Sequence, residues 1–365
     1  MKASNLKKFI VAGLALAGLA LTPHLRAQVP VFIEGGSASQ SVLLDRATNL
    51  FGGGTFTETN NSGGTVSEFV GTSLNPALNG YGVITLDINV ANGAVAGLQS
   101  LVNQAPGPRD TNIYGVPTVP TFVDSATSPD AVGVPTASLA PGLPTYVVPL
   151  IYIKNTNSSD TAGITNLTER QAETLETSSP LGTTFYGGTS TNVVYFVGRN
   201  NESAVRTEID LNIYNTQTIN TYYTNALGQP VLDVSADPGL SSGGVVSSTV
   251  LVLTNAIGEI AVQNLKKGLA AVPYEGVPYS VTNVINGSYP LWWYENYYYI
   301  ASPNNGVPST AQQAVINAFY QSVTNTTFQS INNPVFTNYF VPIPSLQVTR
   351  SYDGGQIAPL PGTFQ

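Results

Sequence analysis

Arg199 and Ser203 stand four residues apart in a polar turn that separates the apolar run 195–197 from a segment with helical spacing beginning at Ser203. A guanidinium, a hydroxyl and the unpartnered N–H groups of a helix start are the parts of an oxyanion site. The first backbone N–H groups of a helix lack acceptors, the macrodipole places partial positive charge there, and an Arg can grip two oxygens at once. Other chemistries are poorly supplied. The chain has no Cys, and its one His, His24, lies in a leader-like segment. Without that segment, Ser-His-Asp and Cys-His catalysis and imidazole- or thiolate-bound metal sites are excluded. Glu169, Glu173 and Glu176 recur at helical spacing beside Arg170 and read as a solvated face. No calcium-loop spacing is present, and no pair of acids stands out as a glycosidase couple. The expectation is a non-enzyme that needs no cofactor.

Residues 1–27 read as a secretory signal peptide: Lys2, Lys7 and Lys8, an apolar run from Phe9 to Leu21, then a cleavage region ending at Ala27. The run is shorter than the ~20 residues that span a bilayer. Cleavage removes four basic residues and no acid, making the formal charge of −8 more negative by four. Nucleic acid and anionic membrane surfaces are therefore disfavoured as partners. A small anion is not, because nearby donors outweigh screened distant charge. The expected product is a protein that is periplasmic or secreted, neither membrane-embedded nor lipid-anchored.

Elements must position these groups. Apolar, β-branched runs at 82–90, 146–153, 192–197, 247–254 and 280–285 read as strands. Helical spacing marks 39–51, 95–103, 166–176, 203–214, 257–268 and 310–322. Asn166 or Thr168 and the Ser309 to Gln312 box supply caps. The alternation of strands with helices indicates an α/β fold. The stretch 106–144 reads as loop-rich and 352–365 as a frayed tail. The aromatic cluster Trp292, Trp293, Tyr294, Tyr297, Tyr298 and Tyr299 reads as filling for a core or a lobe junction.

Five blocks, in order, resemble the phosphate-binding-like, type II periplasmic binding proteins that serve ABC importers. Residues 32–39 are similar to the family's first strand and its Gly-Ser/Ala-Ser turn. Residues 93–98 are similar to its second turn, 147–155 to the hinge strand, 198–206 to the Gly-Arg-x-Asp-x-Ser-Gly-Thr-Arg turn, and 284–292 to the return strand with its Asn-Gly-x-Tyr-Pro-Leu signature. The resemblance implies a two-lobed fold with a hinge of two crossing strands, near 148–154 and 279–286. Lobe 1 would comprise 28–148 and 279–365, and lobe 2 would comprise 149–278. It also implies a ligand site built from Ser39, Ala94, Val95, Ser125, Arg199, Asn201, Ser203, Ala204 and Val205, with a phosphate-like anion as ligand and an ABC permease as partner.

The departures bear on that implication. Ala94 replaces a hydroxyl donor, and Ser125-Ala126 stands where the family has Ser-Asp, with Asp124 two residues early. Asn201 replaces the Asp that orients the Arg, and Ala204-Val205 replaces Gly-Thr. Each missing partner for a buried phosphate oxygen costs about 1–3 kcal/mol. The alternative expectation is an exported surface, structural or adhesion protein that keeps the fold with a degenerate cleft.

Overall fold

The computed structural model describes residues 28–330, 333–334 and 336–361; the expected signal peptide lies outside the described residues. The first half of the chain supplies β1 (Val29–Gly35), α1 (Gln40–Leu50), β2 (Phe56–Asn60), β3 (Val66–Thr72), β4 (Val83–Asn89), α2 (Ala94–Asn103), β5 (Phe122–Ser125) and β6 (Leu143–Asn155). Then follow α3 (Ser159–Ala162), α4 (Glu169–Ser178), β7 (Leu181–Gly182), β8 (Val193–Val197), α5 (Ala204–Asn212), β9 (Tyr222–Thr224), β10 (Pro230–Leu232), α6 (Gly243–Val252), β11 (Ala256–Ala261) and β12 (Leu269–Val272). The chain closes with α7 (Val281–Ile285), β13 (Trp292–Tyr298), α8 (Thr310–Val323), β14 (Val348–Arg350) and β15 (Ile357–Pro359).

The main sheet runs β2-β3-β4-β1-β5-β13-β6-β11-β8-β7, with β12 also on β6. Strand β6 explains the two lobes. Its first part, Leu143 to Pro149, pairs with β13, whereas Leu150 to Lys154 pairs with β11 and its far end with β12. Residues Tyr146 to Ile153 are all buried, so one continuous apolar strand serves both halves of the sheet. The return crossing lies beside it, since Leu150 N donates to Leu291 O at 2.9 Å just ahead of β13. The expected return strand at 280–285 is instead the short helix α7, whose N-cap Ser280 accepts from Asn283 N.

Two more expected elements exchange type. The run at 247–254 lies mostly in helix α6, started by Ser242 accepting from Val245 N, and 257–268 opens with the buried strand β11. Short apolar runs do not reveal their period, and tertiary packing decides: β11 is held between β6 and β8 with α6 lying on it. The Ser309–Gln312 capping box forms, and of Asn166 and Thr168 it is Thr168 that caps α4, in a second box with Gln171. The aromatic cluster is strand β13, with Trp292 and Tyr297 fully buried in the sheet centre. Burying each such side chain contributes roughly 1.5–3 kcal/mol. The described part of the tail is held in place, though largely exposed, by the pairing of β14 with β15 and by Asp353. Asp353 is buried and accepts from Thr127 Oγ1, Ser128 N and Ser128 Oγ.

Candidate functional site

The carboxyl ends of β1, β4, β5 and β8 face one another across the division of the sheet, the place where open α/β sheets bind ligands. They surround a cavity of about 10 Å³, lined by Gly36, Ser37, Ala38, Gly93, Ala94, Ala126, Arg199, Ser203, Ala204, Val205 and Glu295. That is far below the ~300–1,000 Å³ of pockets for drug-sized ligands and is about the room of a single water molecule.

The turn after β8 supplies the charge. Arg199 is 2% exposed. Its Nε donates to Leu240 O at 3.0 Å and its Nη2 to Ser241 O at 2.9 Å, which leaves Nη1 without a hydrogen-bond partner among the described residues. Gly239 makes this possible. Its φ is +120°, and a Cβ there would lie 2.3 Å from the Arg199 carbonyl, so only Gly lets the 239–241 segment run alongside. The Arg199 N–H donates to Glu259 Oε1 at 2.7 Å. Burial lowers the Arg199 pKa to about 10, opposed by the Glu259 charge, and the guanidinium stays ionised at neutral pH. Burial also pushes Glu259 up to about 7, helped by Asp210.

Ser203 is the N-cap of α5, and its Oγ accepts from Arg206 N at 3.3 Å. Capping uses an oxygen lone pair, so the hydroxyl proton is left to donate. The Ala204 and Val205 N–H groups sit in the first turn, where no intrahelical acceptor exists. One turn thus gathers a guanidinium, a hydroxyl and helix-start donors. Asn201 lies outside this set: it is exposed and its N–H donates to Asp237 Oδ1 at 2.8 Å.

The opposite turns behave differently. Ala94 lines the cavity but carries no donor beyond the backbone, and the Val95 N–H is engaged with Glu202 O at 3.3 Å. Gly93, with φ +92°, permits that approach, because a Cβ there would come within 2.4 Å of Glu202 O. An Arg109–Glu202 ion pair closes the same edge. Ser39 is fully buried and donates to Gly36 O at 3.1 Å, so Ser37 is the serine of that turn at the cavity. Ser37 Oγ accepts from Gly243 N at 3.3 Å. Ser125 is also fully buried and donates to Thr127 O.

Of the nine residues expected from the sequence, Ala94, Arg199, Ser203, Ala204 and Val205 converge on the cavity, whereas Ser39, Val95, Ser125 and Asn201 do not line it. Ser37 and Glu295 were not foreseen. Ser37 shares the turn that was read, two residues earlier; Glu295 was masked by the aromatic residues of β13. Behind Arg199, a buried polar chain continues away from the cavity. Glu176 accepts from Tyr152 Oη at 2.7 Å and Asn215 Nδ2 at 3.0 Å, and Asp210 pairs with Arg206 at 3.3 Å. Glu176 is therefore a buried group and not part of a solvated face, and burial holds its pKa well above the usual carboxyl range.

No family model and no curated protein matches the sequence. Among solved structures, the chain is similar to a Clostridium perfringens protein with bound phosphate, assigned as a phosphate ABC transporter substrate-binding protein. The TM-score is 0.57 at 15% identity, covering 86% of this chain and 99% of the other. It is also similar to an ABC-type phosphate transport receptor from Vibrio cholerae, with a TM-score of 0.50 at 15% identity, covering 82% and 96%. Both likenesses extend over both lobes, and at this identity they carry the fold alone. The chain has the two-lobed α/β fold of the phosphate-binding-like, type II periplasmic binding proteins, at low sequence identity.

Proposed function

We propose that this chain is an exported solute-binding protein that holds a small tetrahedral oxyanion of the phosphate class between its lobes for ABC-type uptake. The observation that carries the reading is Arg199, a buried guanidinium outside any salt bridge among the described residues, beside the free hydroxyl of Ser203 and the start of α5. A buried cation without a paired carboxylate favours an incoming anion, and charge-assisted bonds are about twice as strong as neutral ones. The cavity is far too small for sugars, amino acids and peptides, and it must widen as the lobes part to admit even an oxyanion. Residues 149–278 would form the lobe that carries the charge. Residues 28–148 with 279–365 would form the lobe that closes on it. Export rests on the signal-peptide pattern of residues 1–27. No helix among the described residues is long and apolar enough to cross a membrane.

A second reading has one observation in its favour. The Val95 N–H and the Glu202 carbonyl satisfy each other across the cleft, which would suit a protein that keeps its lobes shut and works through its surface. A thermal-shift series of the mature chain with phosphate, sulfate, other oxyanions and simple sugars separates the two. A ligand at 100 times its Kd stabilises by about 2.7 kcal/mol. A response to an oxyanion that disappears in Arg199→Gln is the expected result. Silence across the whole series removes the binder and leaves the surface protein.

A further inference from the structure

The floor of the cavity holds an acid that an anion site has no evident use for. Glu295, 1% exposed, lines the same cavity as Arg199. It sits on β13 two residues before Tyr297, which lies directly opposite Asp124 of β5, so Glu295 and Asp124 are diagonal neighbours on one face of an antiparallel pair. Beside Glu295 the ladder between β13 and β6 slips by one residue. Thr145 is the extra residue, and its Oγ1 donates to Glu295 O at 2.9 Å. A bulge of this kind re-aims a neighbouring side chain.

The result is two carboxyl groups within hydrogen-bonding reach of each other. Both Asp124 oxygens and Glu295 Oε2 lack any donor from another residue at bonding distance. Two ionised carboxyls would be acceptor facing acceptor, whereas one proton between them makes a bond.

The surrounding groups do not neutralise the pair. Glu208 of α5 is a further buried acid, itself pushed well above the usual carboxyl range by burial, and Asp353 of the tail and Arg350 of β14 lie beyond it. Tyr146 of β6 and Tyr297 of β13 flank Asp124, both held neutral by burial and by these acids. Arg46 reaches only the Tyr297 side, and Arg199 faces the cavity. Burial raises both carboxyls; at Asp124 the rise is opposed by hydrogen bonding from Ser39 and Glu295, whereas at Glu295 the Asp124 charge adds to it. Asp124 is pushed up to about 7, and Glu295 lies well above the usual carboxyl range.

We propose that Asp124 and Glu295 share a single proton at neutral pH, and that Glu295 presents it to the cavity as a hydrogen-bond donor, so that an oxyanion binds with that proton in place. The second half of this rests on the oxyanion reading above; the first half does not. With the proton present, each polar side chain around the cavity, Ser37, Arg199, Ser203 and Glu295, can donate. A fully deprotonated tetrahedral anion such as sulfate is then accommodated. When the proton leaves, Glu295 can only accept, and it repels such an anion. An ion carrying its own proton, such as hydrogen phosphate, can still donate to it.

Two measurements on the full mature chain decide the matter. The first is a pH titration of the ligand-free protein by carboxyl ¹³C NMR, assigned with Asp124→Asn and Glu295→Gln, both near-isosteric and checked for folding by circular dichroism. One carboxyl of the pair should remain protonated through neutral pH. Both titrating in the ordinary carboxyl range overturns the proposal. The second is sulfate binding between about pH 5.5 and about pH 8.5. Affinity should fall about tenfold per pH unit once the shared proton is lost. Glu295→Gln, whose amide donates without titrating, should flatten the profile. A flat wild-type profile with sulfate bound also overturns it. If no oxyanion binds while the NMR titration finds the shared proton, the oxyanion reading falls and the shared proton stands.

Discussion

The turn before α5 and the turn before α2 are built alike, each a strand end feeding a helix start at the cleft, yet they use their donors in opposite ways. Before α5, Ser203 accepts the capping bond and keeps its proton, and Arg199 is held by two carbonyls with Nη1 left over. Before α2, Gly93 has no side chain, Ala94 has no hydroxyl, and the Val95 N–H is engaged by Glu202 O. Both helix starts carry the same partial charge. Whether that charge serves a ligand or the opposite lobe is set by what fills its N–H groups first. In this molecule the turn before α5 keeps donors toward the cavity, whereas the turn before α2 spends its N–H on the Glu202 carbonyl.

Removing the charged member of the richer turn should have the largest effect. Arg199→Gln keeps an amide that can reach Leu240 or Ser241 but loses the cation. Oxyanion affinity should drop at least a hundredfold, about 3 kcal/mol, the scale of a charged hydrogen bond in a dry site. Calorimetric titration with phosphate reads this. Affinity within threefold of wild type would mean that the turn before α5 is no richer than its counterpart.

Next in size is the pH response of the scaffold behind that turn. Glu259 accepts from the Arg199 N–H and is pushed up to about 7 by burial, with Asp210 adding to the rise. A carboxyl raised in the folded state holds its proton there more firmly than in the unfolded chain. Its stabilisation is complete below the unfolded pKa of ~4.3 and is lost as pH rises toward the folded value. Denaturant unfolding should accordingly give a less stable protein at about pH 7 than at about pH 5.5, by about 2 kcal/mol from Glu259 alone. Glu259→Gln should shrink that difference. Stability that climbs over this range would show that the buried acids are ionised and paired.

Gly93→Ala attacks the other side of the comparison. The methyl would sit 2.4 Å from Glu202 O at a residue whose φ is +92°. The strained backbone and the clash together cost roughly 1–3 kcal/mol. Their expected outlet is a wider cleft, because the Val95–Glu202 bond and the Arg109–Glu202 pair lie at that contact. Small-angle scattering should report a larger radius of gyration with secondary structure retained. An unchanged radius with a lower melting temperature would instead place the strain inside the first lobe.

Much of this arrangement was legible in the residues. Arg199 and Ser203 announced themselves because their chemistry is local: a strand, a turn and a capping serine within a dozen residues. Strand β6 was legible because a run buried in both lobes is apolar throughout. What escaped depends on contacts distant in sequence. The fate of the Val95 N–H is decided by Glu202, more than a hundred residues on. Glu295 reads as one acid among aromatics until β5 and β13 are laid side by side. The 247–254 and 257–268 runs differ little in apolarity. Only the neighbours of β11 determine which becomes the strand.

The smallest effect is also the most direct test of why the two turns differ. Ala94 is the first residue of α2, 1% exposed, with its methyl group on the cavity wall. Ala94→Ser adds one oxygen at a place where the Cβ already stands. If the turn before α2 is silent only because it lacks a donor, the new hydroxyl should tighten oxyanion binding by about threefold to tenfold, the ~0.5–1.5 kcal/mol of one net hydrogen bond. Should the hydroxyl bond back to the helix instead, affinity stays level and α2 gains stability. That outcome would locate the difference between the turns in the Glu202 contact, which fixes the backbone of α2, and not in the missing side-chain donor.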